Sequence, residues 1–248
     1  MRLNMVVLTI GLMVSSVGAH ASEKGSHWEY KGKAGAAHWG ELQQDFVSCK
    51  LGKEQSPIDI HGAKKRKLNP IDFDYQTGSA DVVNNGHTVQ INLSKGGAIK
   101  LHDDEFKLLQ FHFHTPSEEK INGKGYPLVA HMVHRNAAGQ LAVVAVLFKL
   151  GKENAALKPV FASMPAKAGM HMALEGGIDP GAILPEERGY FAFKGSLTTP
   201  PCSEGVQWQV MKTPAEISAT QLAAFRKLYR MNARPVQAFN GRVVEVSE

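Results

Sequence analysis

Leu108-Leu109-Gln110-Phe111-His112-Phe113-His114 is the stretch on which the fold turns. In a β-strand successive side chains point to opposite faces, so Gln110, His112 and His114 share one face and Phe111 and Phe113 take the other. Two histidines on one face can grip a metal ion. A lone buried histidine in a strand is ordinarily a satisfied core residue, so a third ligand decides between the two readings.

Outward from this stretch the chain reads as strands separated by turn signals. Strands are expected over 81–83, 87–93, 99–102, 106–114, 128–134 and 141–150, split by Asn85-Gly86, Gly96-Gly97, the loop holding Asn122, Gly123, Gly125 and Pro127, and the turn 137–140. Connections this short imply antiparallel neighbours. Residues 141–148 are continuously apolar, as in a central strand covered on both faces, and the β-branched Val143, Val144 and Val146 favour strand over helix.

The loop after His114 returns the chain antiparallel, bringing 128–134 beside the HxH strand. There Val129, His131 and Val133 share one face, and Ala130, Met132 and His134 share the other. His131 is thus the expected third ligand, and His134 is expected in the opposite layer as a core residue. Three histidines leave a tetrahedral ion one open position, the arrangement of a catalytic zinc site; structural zinc takes four protein ligands.

Composition allows one domain and excludes little else. The 248 residues are 43% hydrophobic and 21% charged, without repeat, low-complexity tract or linker. Arg2, the apolar run from Met5 to Val17 and the Ala19-His20-Ala21 end read as a secretory signal cleaved after Ala21, too short to span a bilayer. Residues 22–248 then form the working domain, exported to the periplasm, and the net charge falls from +5 to +4 with the loss of Arg2. In an oxidising compartment Cys49 and Cys202 can pair, stabilising the fold by about 3 to 5 kcal/mol through loop closure; two buried free thiols are the alternative. The basic run from Lys64 to Lys67 reads as a solvated loop or edge guard, and no nucleic-acid motif accompanies it.

Helix signals gather late. Thr213, Pro214 and Glu216 have capping-box spacing with proline at the first helical position, and Ser218 and Gln221 repeat it before Leu222, Phe225, Leu228 and Tyr229, which fall on one face. This segment is expected to pack rather than to do chemistry.

Taken together, QFHFHTPSEE at 110–119, AHMVH at 130–134 and SLTTPPCSEGVQW at 196–208 resemble an α-class carbonic anhydrase of the exported bacterial type. The likeness runs through HWEY at 27–30, HWG at 38–40, GKEQSPIDI at 52–60, NNGH at 84–87 and RPVQ at 234–237. It implies a predominantly β, single-domain fold built on a large, twisted, mainly antiparallel sheet of about ten strands with short surface helices. It also implies zinc as cofactor and reversible hydration of carbon dioxide to bicarbonate and a proton by zinc-bound hydroxide.

Residue by residue, the resemblance makes His112, His114 and His131 the zinc ligands, Thr198 the group that orients the hydroxide, and Glu118 the acceptor of the Thr198 hydroxyl. Zinc lowers the pKa of its water from 15.7 to about 7, a value known for carbonic anhydrase itself. Substrate contacts fall to Val133, Val143, Leu197, Thr198, Thr199, Val206 and Trp208; of these, Val133 also follows from strand parity. His87 matches the proton shuttle, whose ordinary pKa near 6.5 suits exchange with such a water, while Tyr30, Asn85 and Gln90 match the residues ordering the connecting waters. Gln110 matches the partner of His112.

The chain departs from the pattern at two places. Many relatives carry a carboxylate two residues before the third ligand, where this chain has Val129, and a histidine after the orienting glutamate, where it has Glu119. Val129 cannot accept a hydrogen bond from His131, which leaves its partner open, and Glu119 leaves open which carboxylate serves Thr198. Sulfonamide and anion inhibitors are implied by the resemblance, which leaves monomer and homodimer open. An ester hydrolase using the same hydroxide is a competing reading, against which the narrow apolar wall of Val133, Val143 and Leu197 argues. A non-catalytic binding module on the same fold is another, against which the three retained histidines argue.

Overall fold

A computed structural model describes residues 27–248; the expected signal at 1–21 lies outside the described residues. Among the described residues the architecture is a thirteen-stranded sheet, a two-stranded sheet and a few short helices.

Leu141–Leu150 lies inside the large sheet, antiparallel to Leu128–Arg135 on one side and parallel to Glu204–Met211 on the other. Its alternation sorts the core. Val144, Val146 and Phe148 pack with Phe111, Phe113, Ala130 and Met132 on one face, under the helix residues Leu222 and Phe225. Val143, Ala145 and Leu147 pack with Val129, Val206, Trp208 and Val210 on the other. Both faces of this strand are covered, which is why its sequence shows no polar side.

The main path runs His171–Ile178, Gly78–Asn84, Val89–Leu93, Asp104–His114, Leu128–Arg135, Leu141–Leu150, Glu204–Met211, Tyr190–Ser196, Glu245–Ser247 and Lys64–Arg66. These ten strands match the expected number, and Asp72–Tyr75, Gly97–Leu101 and Ala215–Ile217 add three beside the path. Most pairings are antiparallel; within the large sheet, Leu141–Leu150 with Glu204–Met211 and with Ala215–Ile217, and Glu245–Ser247 with Lys64–Arg66, are parallel. Lys64–Arg66 is the exposed last strand, so the basic run does guard a sheet edge.

Two local expectations change. His87 sits in the turn before the strand Val89–Leu93, because Asn85 Oδ1 accepts from the amides of both His87 and Thr88 at 2.9 Å. Of the two adjacent capping signals only the second starts a helix: Ser218 and Gln221 form a full capping box on Ala219–Leu228. The first loses because Ala215–Ile217 pairs parallel with Phe148 to Leu150, and Glu216 accepts from the Lys152 amide. Strand pairing there already satisfies the backbone.

Cys49 and Cys202 form a disulfide across a sequence separation of 153. It packs in a small cluster with Trp39 and Phe46, bordered by Trp28 and Tyr30.

Candidate metal centre

The sheet register places the three histidines. His112 stands directly opposite His131, and His114 is opposite Val129. Strand parity keeps all three on one face. His134 faces the other way, buried, with its Nε2 2.7 Å from the Tyr75 hydroxyl and its ring stacked on that phenol.

Each of the three rings has one nitrogen engaged from behind. His112 Nδ1 lies 2.9 Å from Gln110 Oε1, His114 Nδ1 2.7 Å from the Asn232 carbonyl oxygen, and His131 Nε2 3.1 Å from the Glu119 carboxylate. These contacts leave His112 Nε2, His114 Nε2 and His131 Nδ1 free. One ring nitrogen from each histidine lies within 4.8 Å of the others. His114 Nε2 is buried without a hydrogen-bond partner, a costly condition that a bound cation relieves.

Metal ligation requires neutral imidazole, and the electrostatics of two of the three histidines agree with it. Burial, reinforced by the neighbouring His131, pushes His112 down to about 3 and His114 well below the usual 6.5. For His131 burial also acts downward, but the Glu119 carboxylate, and then Glu118, raise it above 6.5. The donor set fits zinc: three imidazoles with a position left over.

Around these ligands the residues expected from sequence gather on the same face. Gln110, Val133, Val143 and Trp208 are consecutive register partners across four strands, forming an apolar row with one polar end beside the histidines. Trp208 meets His131 edge-on, with ring centres 4.9 Å apart, and donates from Nε1 to the Ser196 carbonyl at 3.0 Å. Val206 and Leu197 belong to the same apolar cluster. Thr198 is 5% exposed, and Thr199, which accepts from the Cys202 amide through its carbonyl at 2.9 Å, is partly buried.

The Thr198 side chain lies near enough to Glu118 to favour its ionised form, and Glu118 Oε2 is buried without a hydrogen-bond partner. Glu118 Oε1 accepts from the Arg234 amide at 2.7 Å. Burial raises the Glu118 carboxyl to about 8, against the pull of His131, Thr198 and Arg234, with Glu119 pushing further up. A cation among the histidines would favour the ionised form.

On the opposite rim Gln90 is the register partner of His112. Its amide donates to Asn92 at 2.7 Å and its oxygen accepts weakly from Asn85 at 3.4 Å. His87 lies flat on Trp28, with centroids 3.6 Å apart and planes 6° from parallel. Burial, and the neighbouring His27, lower its pKa. Tyr30 Oη is buried without a partner, and burial raises its pKa well above 10.

Three contributors escaped the sequence reading. Asn232 is fully buried; its side chain donates to the carbonyls of His87 and Phe113 and accepts from the Thr115 amide, while its own carbonyl meets His114. A backbone acceptor leaves no signature in residue type. Trp28 was legible only as part of HWEY. Arg234 donates to Gln55, Ser56 and Cys49, and its burial, which lowers its pKa to about 10, is a feature the RPVQ motif does not announce.

A mainly β sheet carrying three convergent imidazoles on one face, with an apolar row beside them, defines a zinc-histidine enzyme. The eukaryotic-type carbonic anhydrase family profile matches residues 34–248. A carbonic anhydrase of Pectobacterium carotovorum is 41% identical over 238 residues, covering 96% of this chain and 98% of that protein. One from Klebsiella pneumoniae is 45% identical over 220 residues, covering 88% and 89%. Among solved structures, the α-carbonic anhydrase of Thermovibrio ammonificans in complex with sulfanilamide superposes with a TM-score of 0.87 at 47% identity, over 90% of this chain and 100% of that one. The chain belongs to the α-class carbonic anhydrase family, and its activity is the zinc-dependent, reversible hydration of carbon dioxide.

Proposed function

We propose that His112, His114 and His131 hold the zinc, and that carbon dioxide is hydrated over the row formed by Val133, Val143 and Trp208, with Leu197, Val206 and Thr199 completing its walls. The observation that carries this reading is that the three histidines each bring a ring nitrogen within 4.8 Å of the others, beside an apolar surface suited to a small apolar substrate. When bound, zinc lowers the pKa of a coordinated water to about 7 and so supplies a nucleophile at neutral pH.

The remaining steps belong to the protein. A threonine hydroxyl has one hydrogen to give. With that hydrogen donated to Glu118, Thr198 Oγ1 can only accept from the attacking oxygen, and this aims the oxygen's lone pair at the carbon. The Arg234 amide donates to Glu118 Oε1 at 2.7 Å and holds the carboxylate in place. Proton export falls to His87, with Tyr30, Asn85 and Gln90 ordering the water path. Burial lowers the pKa of His87, and an imidazole is the side chain ordinarily suited to pass a proton to buffer near neutrality.

The protein works in the periplasm after cleavage behind Ala21, a reading supported by the Cys49–Cys202 disulfide. Among the described residues no helix is long and apolar enough to cross a membrane. Sulfonamides bind at the metal, as sulfanilamide is bound by the Thermovibrio relative. Steady-state rates for carbon dioxide and for a p-nitrophenyl ester, with and without a sulfonamide, test the substrate assignment. The expected result is a large preference for carbon dioxide with both activities lost to inhibitor; faster ester turnover would overturn it.

A further inference from the structure

His131 finds no rear partner on its own strand. Two residues before it on the same face stands Val129, fully buried opposite His114 and Leu147 and unable to accept a hydrogen bond. Yet His131 Nε2 is not orphaned. Both carboxylate oxygens of Glu119 lie 3.1 Å from it.

Glu119 is 0% exposed and arrives from the loop that follows the HxH strand. That loop is held at several points. Ser117 Oγ donates to the Glu119 carbonyl and accepts from the Tyr126 amide. The Ser117 amide donates to the Tyr126 carbonyl. The next two residues, Lys120–Ile121, pair parallel with Asp59–Ile60. A carboxylate on a backbone fixed this firmly has a defined direction.

The adjacent Glu118 does not compete for this role. Its nearest oxygen is 3.8 Å from His131, beyond hydrogen-bond reach, and lies toward Nδ1, the nitrogen left for the metal. Its other oxygen is taken by the Arg234 amide. Consecutive carboxylates thus address opposite edges of one imidazole, and only Glu119 bonds it.

We propose that Glu119 is the positioning residue for His131: by accepting the Nε2 hydrogen it fixes the ring's orientation and tautomer, presents Nδ1 to zinc and raises its basicity, from a loop instead of from position 129. This rests on the ligand assignment made above. Metal-ligating histidines ordinarily donate their second ring N–H to such a group, and its loss typically costs 10- to 100-fold in affinity or activity.

Zinc affinity and dissociation rate, measured by chelator competition on the folded protein, test this without recourse to turnover. Glu119→Gln, close in shape but uncharged, is expected to weaken zinc about 10-fold and Glu119→Ala toward 100-fold. Glu118→Gln should change it far less. Adding Val129→Glu to Glu119→Ala should recover most of the loss, a rescue that repair of packing alone would not give. Thermal unfolding of the metal-free proteins shows whether each variant folds, and Glu119→Gln carries the test where Glu119→Ala does not. Zinc held by both Glu119 variants within twofold of a zinc-loaded wild type overturns this inference alone, as does an equal loss in Glu118→Gln. A wild type without zinc overturns the ligand assignment and the inference with it.

Discussion

In the proposed mechanism a single hydroxyl hydrogen of Thr198 decides the direction of the chemistry. Glu118, buried and held by the Arg234 amide, is proposed to take that hydrogen, which would leave the oxygen to accept from the nucleophile. Thr198→Ala and Glu118→Gln should each lower kcat/KM on the order of 100-fold, through lost positioning, while zinc content stays at one per chain. Stopped-flow hydration with metal analysis checks both, and normal turnover in Glu118→Gln would shift the assignment to Glu119. The role proposed for His87 concerns a different step. His87→Ala should lower turnover on the order of 100-fold in weak buffer and recover in imidazole buffer. An unchanged rate in weak buffer would remove His87 from the proton path.

One strand, Leu128–Arg135, separates chemistry from structure at the scale of an element. His131 faces the metal site, whereas His134, three residues later, faces the layer holding Tyr75 and Met132. Burial lowers His134 from 6.5 to about 4. The unfolded chain therefore binds this proton at higher pH than the folded one. The stabilising contribution is complete above about pH 6.5 and is lost as pH falls toward 4, by up to about 3 kcal/mol. Chemical denaturation of the metal-free protein between pH 4 and 7 should show a flatter dependence in His134→Gln than in wild type; identical slopes would contradict it. This division was legible beforehand, because side-chain parity in a strand is a strict period of two. So was the central strand 141–150, since burial on both faces demands apolar residues throughout. The strand Ala215–Ile217 was not legible: its residues spell a helix start, and only the parallel edge offered by Phe148 to Leu150 overrides them. Asn232 was hidden for a related reason, because its carbonyl, supplied from 118 residues away, is contributed by the fold and not by the side chain's identity.

Across the whole molecule the disulfide and Arg234 tie distant segments to the site. Cys49 and Cys202 close 153 residues of chain. The Arg234 guanidinium then bonds the Cys49 carbonyl, the Ser56 carbonyl and Gln55, which itself bonds the Cys202 carbonyl, while the Arg234 amide holds Glu118. Replacing both cysteines by alanine should cost about 3 to 5 kcal/mol, which at this size lowers Tm by roughly 10 °C or more. Calorimetry reads the loss, and a Tm unchanged by the double replacement would contradict it.

The central claim is that three histidines on one sheet face hold a zinc ion on which carbon dioxide hydration depends. Stopped-flow hydration by the purified protein, followed through chelation and stoichiometric zinc return, measures it most directly. One zinc per chain is expected, with activity lost on its removal and restored on its return, and neither zinc nor recovery in His114→Ala. Hydration that persists after complete removal of zinc would contradict the account.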